Sequence, residues 1–154
     1  MSPLVIAIDD PRVTDVRALL ERHLGFARET TPPEDVHALD LDGLLEPRVT
    51  FFSARRDAEL LGIGALKQLD ETHGELKSMH TASERRGAGV GRAMVDHLLA
   101  VAVGRGYRRV SLETGAMDEF APARALYRRA GFTTCAPFAQ YTVNPFSTCM
   151  TMEL

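Results

Sequence analysis

The stretch Arg85-Arg86-Gly87-Ala88-Gly89-Val90-Gly91-Arg92 constrains this chain more than any other. It follows an extended-looking run, Glu75 to Thr81, and opens a long apolar-periodic run from Val90 to Val103. Three glycines on alternate positions let the backbone approach a ligand closely, because no Cβ stands in the way. A helix starting there leaves its first N–H groups without intrahelical partners, and its dipole favours negative charge at that end. Arg85, Arg86 and Arg92 add positive charge on either side. The stretch reads as a cradle for an anionic group, a phosphate or pyrophosphate, against the plainer alternative of a glycine-rich turn with solvated arginines.

Two familiar phosphate loops do not fit. A Walker A loop ends in Gly-Lys-[Ser/Thr], and here Gly91-Arg92-Ala93 stands instead. A dinucleotide fingerprint needs G-x-G-x-x-G, and counted from Gly87 its third glycine would fall at Arg92.

The flanking periodicities place this loop within a larger order. Leu4 to Ile8 is a short apolar strand, and Asp10 is positioned to cap a helix beginning at Pro11. Val13, Val16, Leu19, Leu20 and Leu24 follow at helical spacing, with Gly25 as the expected stop and Phe26 to Pro33 as loop. Pro32-Pro33-Glu34-Asp35 suggests a second helix start. Arg48 to Ala54, Leu60 to Leu69 and Glu75 to Thr81 read as an antiparallel meander, in which Gly62 and Gly64 permit a bulge or a close neighbour. Met94, Val95, Leu98, Leu99, Ala102 and Val103 give the helix after the loop its apolar face. Val110 to Thr114 comes after a helix and is expected to run parallel to a neighbour. A helix with Pro122 in its first turn and Gly131 as its stop follows, then strands Phe132 to Phe138 and Ser147 to Leu154. The order β-α-α-β-β-β-α-β-α-β-β predicts a mixed α/β single domain over residues 1–154, a central sheet flanked by helices.

Composition excludes several classes. A net charge of −3 gives no general reason to expect nucleic-acid binding, so the arginines are a local feature. No apolar run approaches the ~20 residues of a membrane helix. The N-terminus lacks a basic n-region and runs into Asp9-Asp10, which argues against a signal peptide and for a cytoplasmic protein. Cys135 and Cys149 have no C-x-x-C spacing, and no His pair stands at i, i+4, so no metal site is expected. The two cysteines would face each other if the C-terminal segments formed a hairpin.

Three local patterns, in order, carry a family resemblance. Arg86-x-x-Gly89-x-Gly91 resembles the acyl-CoA pyrophosphate loop of the GNAT N-acetyltransferase superfamily. Ala123-x-x-Leu126-Tyr127-x-x-x-Gly131-Phe132 resembles that family's A-x-x-L-Y-x-x-x-G-F signature, and Leu112-Glu113 resembles the Leu-Glu often found on its fifth strand. Together they span Glu75 to Phe132, roughly half the chain, and the chain looks like a small bacterial member.

The resemblance implies a GNAT-like acyl-CoA N-acyltransferase fold and acetyl-CoA as co-substrate, with no metal. It implies that Met79, His80 and Thr81 pair with the pantetheine arm like an added strand. Arg86, Gly87, Ala88, Gly89, Val90, Gly91 and Arg92 would hold the pyrophosphate. Tyr127 corresponds to the family tyrosine that protonates the departing thiolate, the alternative being a half-buried aromatic. Glu113 is a general-base candidate, or else a strand carboxylate paired with an arginine; Glu75 and His80 are lesser candidates. The chain departs from the family at Phe120, seven residues before the tyrosine, where an asparagine is common, and at Ala88, where a basic or polar residue is common.

The activity implied is transfer of an acetyl group to a primary amine of a small molecule or peptide by direct attack in a ternary complex. The alternatives left open are an acyl-CoA sensor of the same fold without turnover, and a protein using the cradle for ATP or NAD. A homodimer is a family-level expectation. The aromatic-polar run Gln140 to Phe146 suggests an acceptor lid or a dimer contact.

Overall fold

The computed structural model describes residues 2–30, 41–82 and 89–154, with side chains for all of these except 23–30. Elements follow in the order β1 (Leu4–Ile8), α1 (Thr14–Thr30), α2 (Leu41–Leu44), β2 (Val49–Arg56), β3 (Glu59–Gln68) and β4 (His73–Thr81). Then come α3 (Val90–Gly104), β5 (Arg109–Gly115), α4 (Ala121–Ala130), β6 (Thr133–Cys135) and β7 (Ser147–Glu153). The seven strands form one sheet in the order β1-β2-β3-β4-β5-β7-β6, antiparallel throughout except where β5 lies parallel to β4.

The period-two pattern of the strands splits the core between two faces. Phe52, Leu66, Leu76 and Leu112 pack with Met94, Val95 and Leu98 of α3 and with Tyr127 of α4. Their neighbours Phe51 and Ala65, with Ile63, turn to the other face against Val16, Leu19 and Leu20 of α1 and Leu44 of α2. Met94, Val95 and Leu98 are each at most 1% exposed; full burial of such a side chain is worth about 1.5–3 kcal/mol. The α3 face therefore fixes this helix onto the sheet.

The ends of α1 and of β6 differ most from the sequence reading. Helix α1 starts at Thr14, not Pro11, because Asp10 is spent on a turn: its Oδ1 accepts the Arg12 N–H at 2.9 Å and its carboxylate pairs with the Arg12 guanidinium. Gly25 does not end α1, which runs to Thr30; a glycine costs a helix interior only about 1 kcal/mol, less than the packing that holds this one. The helix start placed at Pro32-Pro33 lies outside the described residues. Strand β6 stops at Cys135, where Pro137 has no N–H to extend the ladder, and Phe132 instead closes α4 by donating its N–H to Tyr127 O at 3.0 Å. The C-terminal strands do form a hairpin-like pair, in which Cys135 stands opposite Cys149, both as free thiols.

Candidate active site

The parallel rungs between β4 and β5 run from His73–Arg109 to Leu76–Leu112 and then cease. Both strands continue: β4 to Thr81 on its pairing with β3, β5 to Gly115 on its pairing with β7. Beyond Leu76 and Leu112 the facing edges carry no rungs to one another, so a gap opens inside the sheet.

A bulge in β4 sits at the mouth of that gap. Ile63 pairs with His80 and Ala65 with Lys77, so Ser78 and Met79 together stand opposite Gly64. Bulges bend a strand and increase its twist, which turns β4 away from β5. Ser78 adopts φ +54°, a left-handed conformation that costs a non-glycine residue about 1–2 kcal/mol. Its side chain is buried and its hydroxyl has no hydrogen-bond partner among the described residues, which adds roughly 1–3 kcal/mol. Met79, His80 and Thr81 continue the strand beyond the bulge, all half-buried.

The N-terminus of α3 lies beside the end of this strand. A Cβ on Gly91 would meet Thr81 Oγ1 at 3.5 Å and Leu126 of α4 at 3.2 Å, and one on Gly62 would meet Val90 at 2.9 Å. Gly89 is the N-cap residue of α3 at φ +82° and, being glycine, offers no side chain to the first turn, so among the described residues the cap position leaves those N–H groups unsatisfied. Among the described residues, chain neighbours aside, a Cβ on Gly89 would meet no atom within 4 Å. Val90 is buried, and Arg92 is exposed and paired with Asp96 at 3.0 Å. Arg86, Gly87 and Ala88 lie outside the described residues.

Tyr127 and Glu113 come from opposite sides of the sheet. Tyr127 packs with Leu112 in the α3–α4 core and stacks edge-on against Phe132, with ring centroids 5.9 Å apart. Burial pushes its phenol well above the ordinary tyrosine range, so it holds its proton. Glu113, one residue past the last rung, alternates to the other face and accepts a hydrogen bond from Ser147 Oγ at 2.9 Å.

On Glu113's face lies a polar cluster that sequence reasoning largely missed. Glu75 is fully buried, and its Oε2 accepts from Lys77 Nζ at 3.0 Å and from Tyr141 Oη at 2.5 Å. Lys77 Nζ also donates to the Tyr141 oxygen at 2.7 Å. Glu75 Oε1 has no hydrogen-bond partner among the described residues. Tyr141, from the 136–146 connection, is itself only 6% exposed, so this part of the aromatic-polar run faces inward. The signal available was Glu75-x-Lys77: two charges on one face of a strand, flanking Leu76.

Residues 13–132 match the sequence profile of the acetyltransferase (GNAT) family. The chain belongs to the GNAT acetyltransferase family. It is 46% identical over 149 residues to the uncharacterized N-acetyltransferase YsnE of Bacillus subtilis (strain 168), an alignment covering 97% of this chain and 99% of that one. It is 43% identical to the uncharacterized N-acetyltransferase YedL of Escherichia coli (strain K12), covering 97% and 94%. Among solved structures, one from Klebsiella pneumoniae described as an acyl-CoA N-acyltransferase superposes with a TM-score of 0.79 at 28% identity, covering 98% and 97%.

As a GNAT enzyme the chain uses acetyl-CoA as co-substrate, and its own features suit that molecule. The open edge of β4 offers backbone groups to an extended arm. The N-terminus of α3 beside it, whose N-cap Gly89 brings no side chain to the first turn, suits an anionic end. Among the described residues no three His, Cys, Asp or Glu side chains are grouped to hold a metal ion, and no helix is long and apolar enough to cross a membrane.

Proposed function

We propose that this GNAT chain transfers an acetyl group from acetyl-CoA to a primary amine of a small molecule or peptide, by direct attack in a ternary complex. The observation that carries this reading is the parting of β4 from β5 beside the start of α3. Acetyl-CoA, when bound, supplies an activated acyl group on a thiol leaving group. Met79, His80 and Thr81 hold its arm along the free edge of β4, and Arg86 with the turn through Arg92 holds its pyrophosphate. Glu113 takes the proton of the acceptor ammonium, releasing a neutral nucleophile. Tyr127, kept protonated by burial, holds the proton that the departing thiolate needs. Glu75 is the weaker base candidate, because the oxygen that meets Lys77 and Tyr141 is already engaged.

Isothermal titration with acetyl-CoA tests the reading. Binding that weakens with Arg86→Ala and with added salt is expected. Absence of binding at about millimolar acetyl-CoA, some −4 kcal/mol, would sink it.

A further inference from the structure

The ring of Phe120 is set in place by the turn that carries it. Asp118–Phe120 make a single tight turn, and Phe120, the N-cap residue of α4, donates its N–H to Met117 O at 3.0 Å. From the first turn of α4, Arg124 Nη1 donates back to Gly115 O at 2.7 Å and to Met117 O at 2.9 Å. These bonds fix the path from β5 into the helix. That path lays the Phe120 ring on Gly115, the last residue of β5, where a Cβ would collide with the ring carbons Cγ, Cδ2 and Cε2. Only glycine fits beneath it.

Alternation along β5 decides which side of the sheet the ring occupies. Gly115 follows Glu113 by two residues, so a Cβ on it points to the face of Glu113. Ser147, opposite Gly115 in the β5–β7 ladder, reports the same face by donating to Glu113 at 2.9 Å. The ring therefore stands on the Glu113 side, one step of about 7 Å further along the strand. Tyr127, from the same helix, packs with Leu112 on the opposite face. Glu113 and Phe120 are both half-buried, so each keeps surface open to solvent. Both Glu113 and Gly115 lie beyond Leu112, where the rungs to β4 cease.

We propose that Phe120 is a specificity-determining residue for the acceptor, and that the acceptor is a primary amine carrying an apolar group, aromatic or branched aliphatic. The inference rests on the acetyltransferase reading above, with Glu113 as base, and names the substrate class for that site. An ammonium held at Glu113 sets its substituent against a ring one strand step away. An apolar substituent covers that ring and takes both surfaces out of water. A hydroxylated substituent leaves its hydroxyl groups against a ring that cannot accept them as an oxygen or nitrogen would.

The test measures CoA release from acetyl-CoA with phenethylamine, isopentylamine, ethanolamine and glucosamine as acceptors. Wild type, Phe120→Leu and Phe120→Asn are compared, with acetyl-CoA titrated separately and urea unfolding run on each protein. Wild type is expected to favour the two apolar amines by roughly tenfold or more in kcat/KM. Phe120→Asn is expected to lose that preference, and Phe120→Leu to shift it from the aromatic to the branched amine, both binding acetyl-CoA as wild type does. Should Phe120→Asn fail to fold, the shift in Phe120→Leu decides. A preference that the substitutions leave untouched overturns the proposal. Weakened acetyl-CoA binding in place of a changed preference also overturns it, by placing the ring against the cofactor's arm. A wild type that binds acetyl-CoA yet acetylates neither apolar amine overturns it and leaves the acetyltransferase reading standing. A wild type that binds no acetyl-CoA removes that reading itself.

Discussion

The phenol of Tyr141 meets the carboxylate of Glu75 at 2.5 Å across 66 positions of sequence, inside the protein and beside the ammonium of Lys77. The contact ties the connection between β6 and β7 to the middle of β4. Tyr141→Phe takes a donor from Glu75 and an acceptor from Lys77, and is expected to lower unfolding stability by about 1–3 kcal/mol. Lys77→Met leaves the Glu75 charge buried with the phenol alone and is expected to cost more, roughly 3–5 kcal/mol. Urea denaturation ranks the two; a Lys77 variant milder than the Tyr141 variant contradicts the ion pair as the stronger contact.

Tyr127→Phe keeps the ring that packs on Phe132 and removes only the hydroxyl. Acetyl-CoA affinity and unfolding midpoint are expected to hold, while turnover drops by about 10²–10⁴. Undiminished turnover would take the proton-donor role from Tyr127.

Alkaline pH should unfold this protein for an identifiable reason. Tyr127 is raised by burial, and Tyr141 by burial and then by the charge of Glu75. Unfolded tyrosine titrates near about pH 10. Because the folded values lie higher, the stability tied to these phenols is whole below about pH 10 and is lost as pH rises beyond it through the folded values. The urea midpoint should fall in that window, and less steeply in Tyr141→Phe. A midpoint indifferent to alkali would mean that the phenols ionise in place.

Gly89 and Gly106 make a matched pair. Both have positive φ, +82° and +83°, and among the described residues, chain neighbours aside, a Cβ on either meets no atom within 4 Å. Gly89→Ala and Gly106→Ala should each cost about 1–2 kcal/mol through the backbone alone. Only Gly89→Ala should weaken acetyl-CoA binding, because Gly89 caps α3 and Gly106 lies beyond its far end. Equal loss of affinity in both variants, or in neither, would separate the cap from the ligand.

The sheet and its long helix were legible from their apolar runs: β2–β5 are buried on both faces and read as continuous stretches, and α3 repeats at 3.6 over Met94, Val95, Leu98 and Ala102, although Val103, expected on the same face, is exposed. Ends were legible only where a local group decided them. Gly131 stops α4 as expected, whereas Gly25 lies within a helix that packing extends. Ser78 could not be singled out, because a bulge is a property of the register between β3 and β4 and leaves no mark on either strand read alone. Tyr141 likewise meets its partners only through the tertiary path. The cysteine pair stood between these cases: its facing depended on a hairpin, and the register of β6 on β7 supplied one.

The opening between β4 and β5 also bears on how this sheet avoids its own kind. Bare strand edges invite neighbouring molecules to add on, the first step towards aggregation. These two edges lie inside the strand order, with β3 behind one and β7 behind the other. The unfinished hydrogen bonding between β4 and β5 is thus held inside the sheet, while its rim is formed by β1 and β6.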